Sequence, residues 1–352
     1  MSIIKKQKLI IAGPCSAESE KQMLQTAKEL KQVDFIDILR AGIWKPRTKP
    51  GGYEGAGEQG LKWLSKAKEV TGLPIAIEIA KPHHIELALK YGVDIVWIGA
   101  RSTANPFSIQ ELSDELKNAP VEVLIKNPIN ADINLWIGAY ERIKMANVKE
   151  IGFIHRGFTS FGNAEYRNAP FWQIPIEMKR LYPNIPMICD PSHIGGKRSR
   201  LQKIIQKSIN LDYNGIMVES HCNPKVALTD SSQQIKPSDF MLLMNQIEWK
   251  KNSTDKKEYK DELETLREQI KELDNELISI FGARMQISND IGKLKQENNL
   301  TILQTQYWDK RLNHLLQAAK KYDLNTSFVK TILEFIHLES IRIQNETKIK
   351  KK

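Results

Sequence analysis

Up to about residue 250 the chain alternates short, nearly continuous apolar runs with longer stretches whose apolar positions recur every three or four residues. The runs fall at 9–12, 35–39, 74–79, 93–98, 121–125, 151–154, 186–188 and 215–218. Continuous apolar character marks strands covered on both faces, whereas SEKQMLQTAKELKQ and EQGLKWLSKAKEVTG between them carry helical spacing. Eight such βα units predict an α/β fold, a closed (β/α)8 TIM barrel. A doubly wound open sheet is the alternative, because periodicity alone does not close a barrel. Beyond residue 258 the period is helical throughout. Leu263, Leu266, Ile270, Leu273, Leu277, Ile280, Ile287, Ile291 and Leu294 stripe one long helix over 259–295, which at 1.5 Å per residue reaches ~55 Å. Two shorter helices are expected near 304–322 and 326–345. Such an all-α three-helix unit cannot bury so long a stripe on itself, which points to a homodimer through the helical domain.

Composition changes at the same place. All 15 prolines lie at or before Pro237, and only Gly282 and Gly292 lie beyond residue 250. The expected organisation is therefore a barrel at 1–250, a polar linker at 251–257 and a helical domain at 258–352. The formal charge of +10 is spread along the chain, with no basic stripe interleaved with aromatics, so nucleic acid is not expected as a partner. No apolar run reaches the ~18 residues that would cross a bilayer, and the N-terminal run leads into Gly13-Pro14-Cys15 without a cleavage site. Three cysteines, in neither an even framework nor a CxxC pattern, complete the expectation of a cytoplasmic protein without membrane partners.

In a barrel the C-terminal strand ends converge on one mouth. Here those ends carry Cys15, Arg40, Lys45, Arg47, Glu78, Arg101, Lys126, His155 with Arg156, Asp190 with His193, and Glu219 with His221. So many cations at one mouth call for an anionic substrate bearing phosphate or carboxylate. Cys15, His193, Glu219 and Asp230 also offer a thiolate, an imidazole and two carboxylates. Such a mixed soft and hard donor set suits a divalent metal such as Mn2+, Fe2+, Co2+ or Zn2+. Cys189, inside a strand, reads as core.

Gly13-Pro14-Cys15-Ser16, Lys45-Pro46-Arg47-Thr48, Gly99-Ala100-Arg101, Lys126, His155-Arg156-Gly157, Asp190-Pro191-Ser192-His193 and Val218-Glu219-Ser220-His221 closely resemble the 3-deoxy-D-arabino-heptulosonate 7-phosphate (DAHP) synthase family, over residues 8–245. The resemblance implies condensation of phosphoenolpyruvate with erythrose 4-phosphate. Arg101, Lys126 and Arg156 would hold the phosphate of phosphoenolpyruvate, Arg40 and Lys45 its carboxylate, and Arg47 and Thr48 the phosphate of erythrose 4-phosphate. Cys15, His193, Glu219 and Asp230 match that family's metal ligands. The related octulosonate 8-phosphate synthases have Lys-Ala-Asn-Arg where this chain has Lys-Pro-Arg-Thr, which favours the four-carbon aldehyde. Family members often carry extra segments that bind an aromatic amino acid; with the first strand expected near residue 8 and short connections, direct inhibition of that kind is not expected.

In the second half, polar residues interrupt the stripe at helical intervals. Arg284 and Lys295 are three turns apart on one face, and Ser340 and Gln344 are i, i+4 on the last helix. With Arg267 they make residues 258–346 resemble the all-helical chorismate mutase family. The resemblance implies rearrangement of chorismate to prephenate: Arg284, with Arg267 entering from the partner protomer, would grip the two carboxylates, and Lys295 and Gln344 would bond the ether oxygen. Ser340 also matches. Many members have an adjacent Arg-Glu pair at the start of the second helix, where this chain has Tyr307-Trp308. The expectation is therefore a bifunctional shikimate-pathway enzyme whose helical domain also mediates feedback inhibition by chorismate or prephenate. The alternative is a synthase whose helical domain only dimerises or senses a ligand.

Overall fold

Eight parallel strands close in chain order into a barrel: β1 (Leu9–Gly13), β2 (Ile38–Ala41), β3 (Ile75–Ile79), β4 (Ile95–Ile98), β5 (Glu122–Lys126), β6 (Glu150–His155), β7 (Met187–Cys189) and β8 (Gly215–Glu219). The structure, a computed structural model, describes residues 2–45, 51–160, 165–251 and 253–347. Closure is made by β8 against β1, from Leu9 opposite Gly215 to Gly13 opposite Glu219, which excludes the open sheet. Side chains alternate across each strand. Leu9, Ile11, Ile38, Ala76, Ile95, Trp97, Leu124, Ile154, Ile188 and Met217 fill the barrel interior, while their neighbours, including Leu39, Ile77, Val96 and Cys189, pack under the helices. At the N-terminal end of the strands Ile4 joins the interior cluster, and the Ile3 and Ile4 N–H groups donate to the buried Glu122 carboxylate at 2.8 and 2.9 Å. That end of the barrel is thus plugged.

Strand β2 begins three residues later than its apolar run predicts, the largest such difference among the eight. Phe35 leaves the sheet to pack edge-on against Phe240 with ring centroids 5.8 Å apart, and the Asp37 carboxylate accepts from the Ile10 N–H at 2.9 Å, so β2 starts at Ile38. Arg40 therefore lies inside the strand rather than beyond it. Gly13 closes β1 where no larger residue fits: a Cβ there would lie 1.9 Å from the Arg40 carbonyl oxygen. That close approach of β1 to β2 sets Cys15 beside the mouth.

The chain separates into two compact units, Met1–Asn252 and Ser253–Lys352. In the second, a long helix (Lys257–Glu297) is followed by a middle helix (Thr305–Lys321) and a last helix (Thr326–Glu346). Asn299, at φ 52°, turns the chain out of the long helix, and the Asn325 side chain caps the last one. Long and last helices approach closely at Gly292, where a Cβ would meet the Gln344 Cα at 3.0 Å. Only Ser288 and Gly292 of the long helix are buried, so Leu266, Ile270, Leu273, Leu277, Ile280 and Ile287 present an exposed apolar stripe. No helix of the described residues is long and apolar enough to cross a membrane.

Candidate active sites

Continuing the inward alternation one step past the packed interior predicts which side chains face the mouth. Ile38 leads to Arg40, Ala76 to Glu78, Leu124 to Lys126, Ile154 to Arg156, Ile188 to Asp190 and Met217 to Glu219. Their contacts interlock. Arg40 Nη1 donates to Glu219 Oε1 at 3.1 Å, while Lys126 Nζ donates to Asp190 Oδ2 at 2.9 Å. Both cations sit over Trp97, 4.8 and 5.5 Å from its ring centroid, and the indole N–H donates to Glu78 at 2.9 Å. The four charged groups are at most 4% exposed. Burial alone would raise both carboxyls. His193 and Lys126 instead hold Asp190 well below the ordinary carboxylate range, and His193, Arg40 and Lys45 bring Glu219 to about 2.

Around Glu219 lies the candidate metal group. Ligand atoms of Cys15, Glu219 and Asp230 all fall within 4.8 Å of one another. The thiol donates to Asp230 at 3.5 Å and accepts from Lys45 Nζ at 3.0 Å. His193 stands at the edge of this group, its Nδ1 2.8 Å from Asp190 and its Nε2 3.6 Å from Glu219. Burial, followed by the charge of Glu219, pushes the Cys15 thiol up to about 12. A thiolate there needs a cation against it, and the mixed sulfur and carboxylate set fits a divalent ion.

The helical unit holds a cavity of about 440 Å3 between its three helices. Arg284, Lys295 and Arg311 line it together with Tyr307, Trp308 and Gln344, and no Asp or Glu does so among the described residues. Arg284 Nη1 donates to Ser340 Oγ and to the Ile336 carbonyl, and Lys295 Nζ to the Ile302 carbonyl. Trp308 stacks flat on His337, centroids 3.9 Å apart and planes 6° from parallel. Burial lowers the Arg284, Lys295 and His337 proton affinities, and neighbouring cations add to the effect at Arg284 and His337. A larger cavity of about 800 Å3, lined by Trp172, Lys203 and Lys207, contains none of the strand-end residues.

With both geometries in view, the family assignment follows from comparison. The model of the DAHP synthetase I family matches residues 3–256, and that of chorismate mutase type II matches residues 266–345. The chain belongs to the DAHP synthetase I family. It is a fusion enzyme, a DAHP synthase barrel followed by a chorismate mutase domain. A phospho-2-dehydro-3-deoxyheptonate aldolase of Thermotoga maritima is 31% identical over 246 residues, which cover 70% of each chain. A 2-dehydro-3-deoxyphosphooctonate aldolase of Geotalea uraniireducens is 26% identical, covering 68% of this chain and 90% of that one. Among solved structures, the Thermotoga maritima DAHP synthase superposes with a TM-score of 0.61 at 29% identity, covering 68% of this chain and 67% of that chain.

Within the DAHP synthase barrel the structure brings Cys15, Arg40, Lys45, Lys126, Glu219 and Asp230 into one connected set, with His193 beside it. Arg156 is half-buried and held by Asn168 at 2.9 Å; Arg101 is exposed in the short helix Ala100–Thr103. Arg47 and Thr48 lie outside the described residues. His155 does not face the mouth: on β6 it alternates outward, between Tyr213, Trp172 and the Pro170 carbonyl. Two loop residues escaped the strand-end pattern. Arg167 pairs with Asp230 at 3.1 Å, and Gln233 bridges Arg167 and Glu219 through two 2.6 Å bonds. Neither follows a strand, so no periodicity marks it. In the chorismate mutase domain Arg284, Lys295, Ser340 and Gln344 line one cavity, whereas Arg267 is exposed on the long helix, 3.6 Å from Glu264. Arg311 and His337 also line that cavity and went unmarked because each resembles an ordinary polar position on an amphipathic helix.

Proposed function

We propose that the barrel condenses phosphoenolpyruvate with erythrose 4-phosphate to DAHP and phosphate, and that the helical domain rearranges chorismate to prephenate. The observation that supports the first reaction most directly is the inward-facing set of Arg40, Lys126 and Glu219 beside the Cys15, Glu219 and Asp230 donor group. A divalent ion held by Cys15, His193, Glu219 and Asp230 would polarise the aldehyde carbonyl. Arg40 and Lys45 would hold the phosphoenolpyruvate carboxylate, and Arg101, Lys126 and Arg156 its phosphate, orienting the enol carbon for attack. Arg47 and Thr48 would take the aldehyde's phosphate. Trp97 beneath two of these cations keeps them desolvated and fixed, so little reorganisation is needed when the anion arrives.

For the mutase, Arg284 and Arg267 of the partner subunit would grip the two carboxylates, Lys295 and Gln344 would stabilise charge on the breaking ether oxygen, and Ser340 would orient Arg284. A homodimer in the cytoplasm, formed through the exposed stripe, is part of the reading because Arg267 lies on that helix. The two reactions are not consecutive, so the fusion serves regulation: chorismate or prephenate bound to the helical domain inhibits the barrel.

The two sites are separable in one preparation. Chelation of metal, or Cys15→Ala, should abolish DAHP formation and leave chorismate consumption. Arg284→Ala should lower chorismate turnover by roughly 100-fold or more while DAHP formation persists. Unchanged chorismate consumption in Arg284→Ala would leave the helical domain as a dimerisation or sensing module.

A further inference from the structure

Tyr307 and Arg311 lie one turn apart on the middle helix and both line the mutase cavity. The three cations of that cavity are not equivalent. Arg284 is tied to Ser340 and the Ile336 carbonyl, and Lys295 to the Ile302 carbonyl. Arg311, exposed at the rim, makes no hydrogen bond or ion pair among the described residues, so its fork of donors is uncommitted. Its charge is nevertheless felt inside, where it adds to the lowering of Arg284 that burial begins. With no carboxylate in the lining, an entering dianion supplies the compensating charge. Tyr307, a turn earlier, offers only a phenol, which cannot match a carboxylate bidentately.

We propose that Arg311 is a substrate-binding residue of the mutase, engaging one carboxylate of its dicarboxylate substrate from the middle helix where Tyr307 presents no charge. The inference rests on the chorismate mutase reading of this cavity and goes further in assigning a residue to it. A guanidinium reaching in from the next turn does the work of an arginine at 307, and the cavity is thereby charged from two helices, Arg284 and Lys295 on the long one and Arg311 on the middle one, with the neutral Gln344 and Ser340 opposite on the last.

The test is steady-state chorismate consumption by full-length Arg311→Ala, Arg311→Lys, and Arg311→Ala combined with Tyr307→Arg, with Arg284→Ala alongside. Losing one charge-assisted bidentate contact should raise KM for chorismate roughly 10- to 100-fold in Arg311→Ala, with a smaller change in kcat. Arg311→Lys should fall between, and Tyr307→Arg should restore most of the loss by returning a guanidinium to the same face. Thermal unfolding and DAHP formation should match the parent chain, since Arg311 bonds to nothing among the described residues. A KM within twofold of the parent in Arg311→Ala, while Arg284→Ala is disabled, overturns the proposal and leaves the mutase reading standing. If Arg284→Ala is also unaffected, the mutase reading itself fails, and the proposal with it. A loss in Arg311→Ala that Tyr307→Arg does not repair would mean that Arg311 acts through the helix rather than on the substrate, which also overturns it.

Discussion

His155 shows how one position on a strand decides between chemistry and packing. Ile154 points into the barrel and Arg156 into its mouth, so His155 between them points outward, where Tyr213 Oη lies 3.0 Å from Nδ1 and the Pro170 carbonyl 2.7 Å from Nε2. Burial holds the ring neutral, lowering its pKa to about 3. Because the folded value lies below the ordinary 6.5, the stabilisation is fully present above pH 6.5 and is lost as pH falls toward 3. At about 1.4 kcal/mol per pH unit, the loss between pH 6.5 and 4.5 is of order 2–3 kcal/mol. His84, lowered to about 4 by burial and by His83, titrates in the same window. His155→Phe should therefore flatten the slope of barrel stability against pH by about half. Urea titrations followed by tryptophan fluorescence would read it, since six of the seven tryptophans lie before residue 252; an unaltered slope would mean that the ring is protonated in the native barrel. The same alternation explains what was legible residue by residue. Arg40, Lys126, Arg156 and Glu219 are readable from strand period alone, whereas Arg167 and Gln233 reach the site from loops, where no period operates.

At the scale of elements, apolar runs located all eight strands because both faces of a barrel strand are covered. Their limits were less legible: β2 starts three residues late, since Phe35 is as apolar as a strand residue but is claimed by Phe240. The three helices appear within two residues of the periodic segments, because no proline interrupts their period. What the long helix lacks is a cover. Ile270, Leu273 and Leu277 are 58%, 59% and 48% exposed along one face of a 41-residue helix. Buried against a second copy, each would contribute about 1.5–3 kcal/mol. Ile270→Glu with Leu277→Glu should therefore convert a dimeric full-length chain to monomer at micromolar concentration, as read by sedimentation velocity. It should also reduce chorismate turnover if Arg267 acts across that interface. A parent chain that sediments as a monomer, or a double variant that stays dimeric, would count against this face as the contact.

At the scale of the whole molecule, the question is why two non-consecutive reactions share one chain. Transfer of an intermediate is not the reason, since the barrel's product is not the mutase's substrate. A helical domain that binds chorismate or prephenate can report the level of a later metabolite to the first reaction, and coupling of this kind must be reciprocal in binding free energy. Saturating prephenate should therefore lower DAHP formation by the parent enzyme. To whatever extent prephenate weakens phosphoenolpyruvate binding, phosphoenolpyruvate should weaken prephenate binding by the same factor, of order 5- to 150-fold for couplings of 1–3 kcal/mol. Substitutions in the helical cavity divide the possibilities. If one cavity serves both, Arg284→Ala should remove the inhibition together with the mutase reaction while leaving uninhibited DAHP formation intact. Inhibition that survives Arg284→Ala would place the sensing site elsewhere, and DAHP formation indifferent to prephenate at any concentration would leave the fusion without this regulatory role.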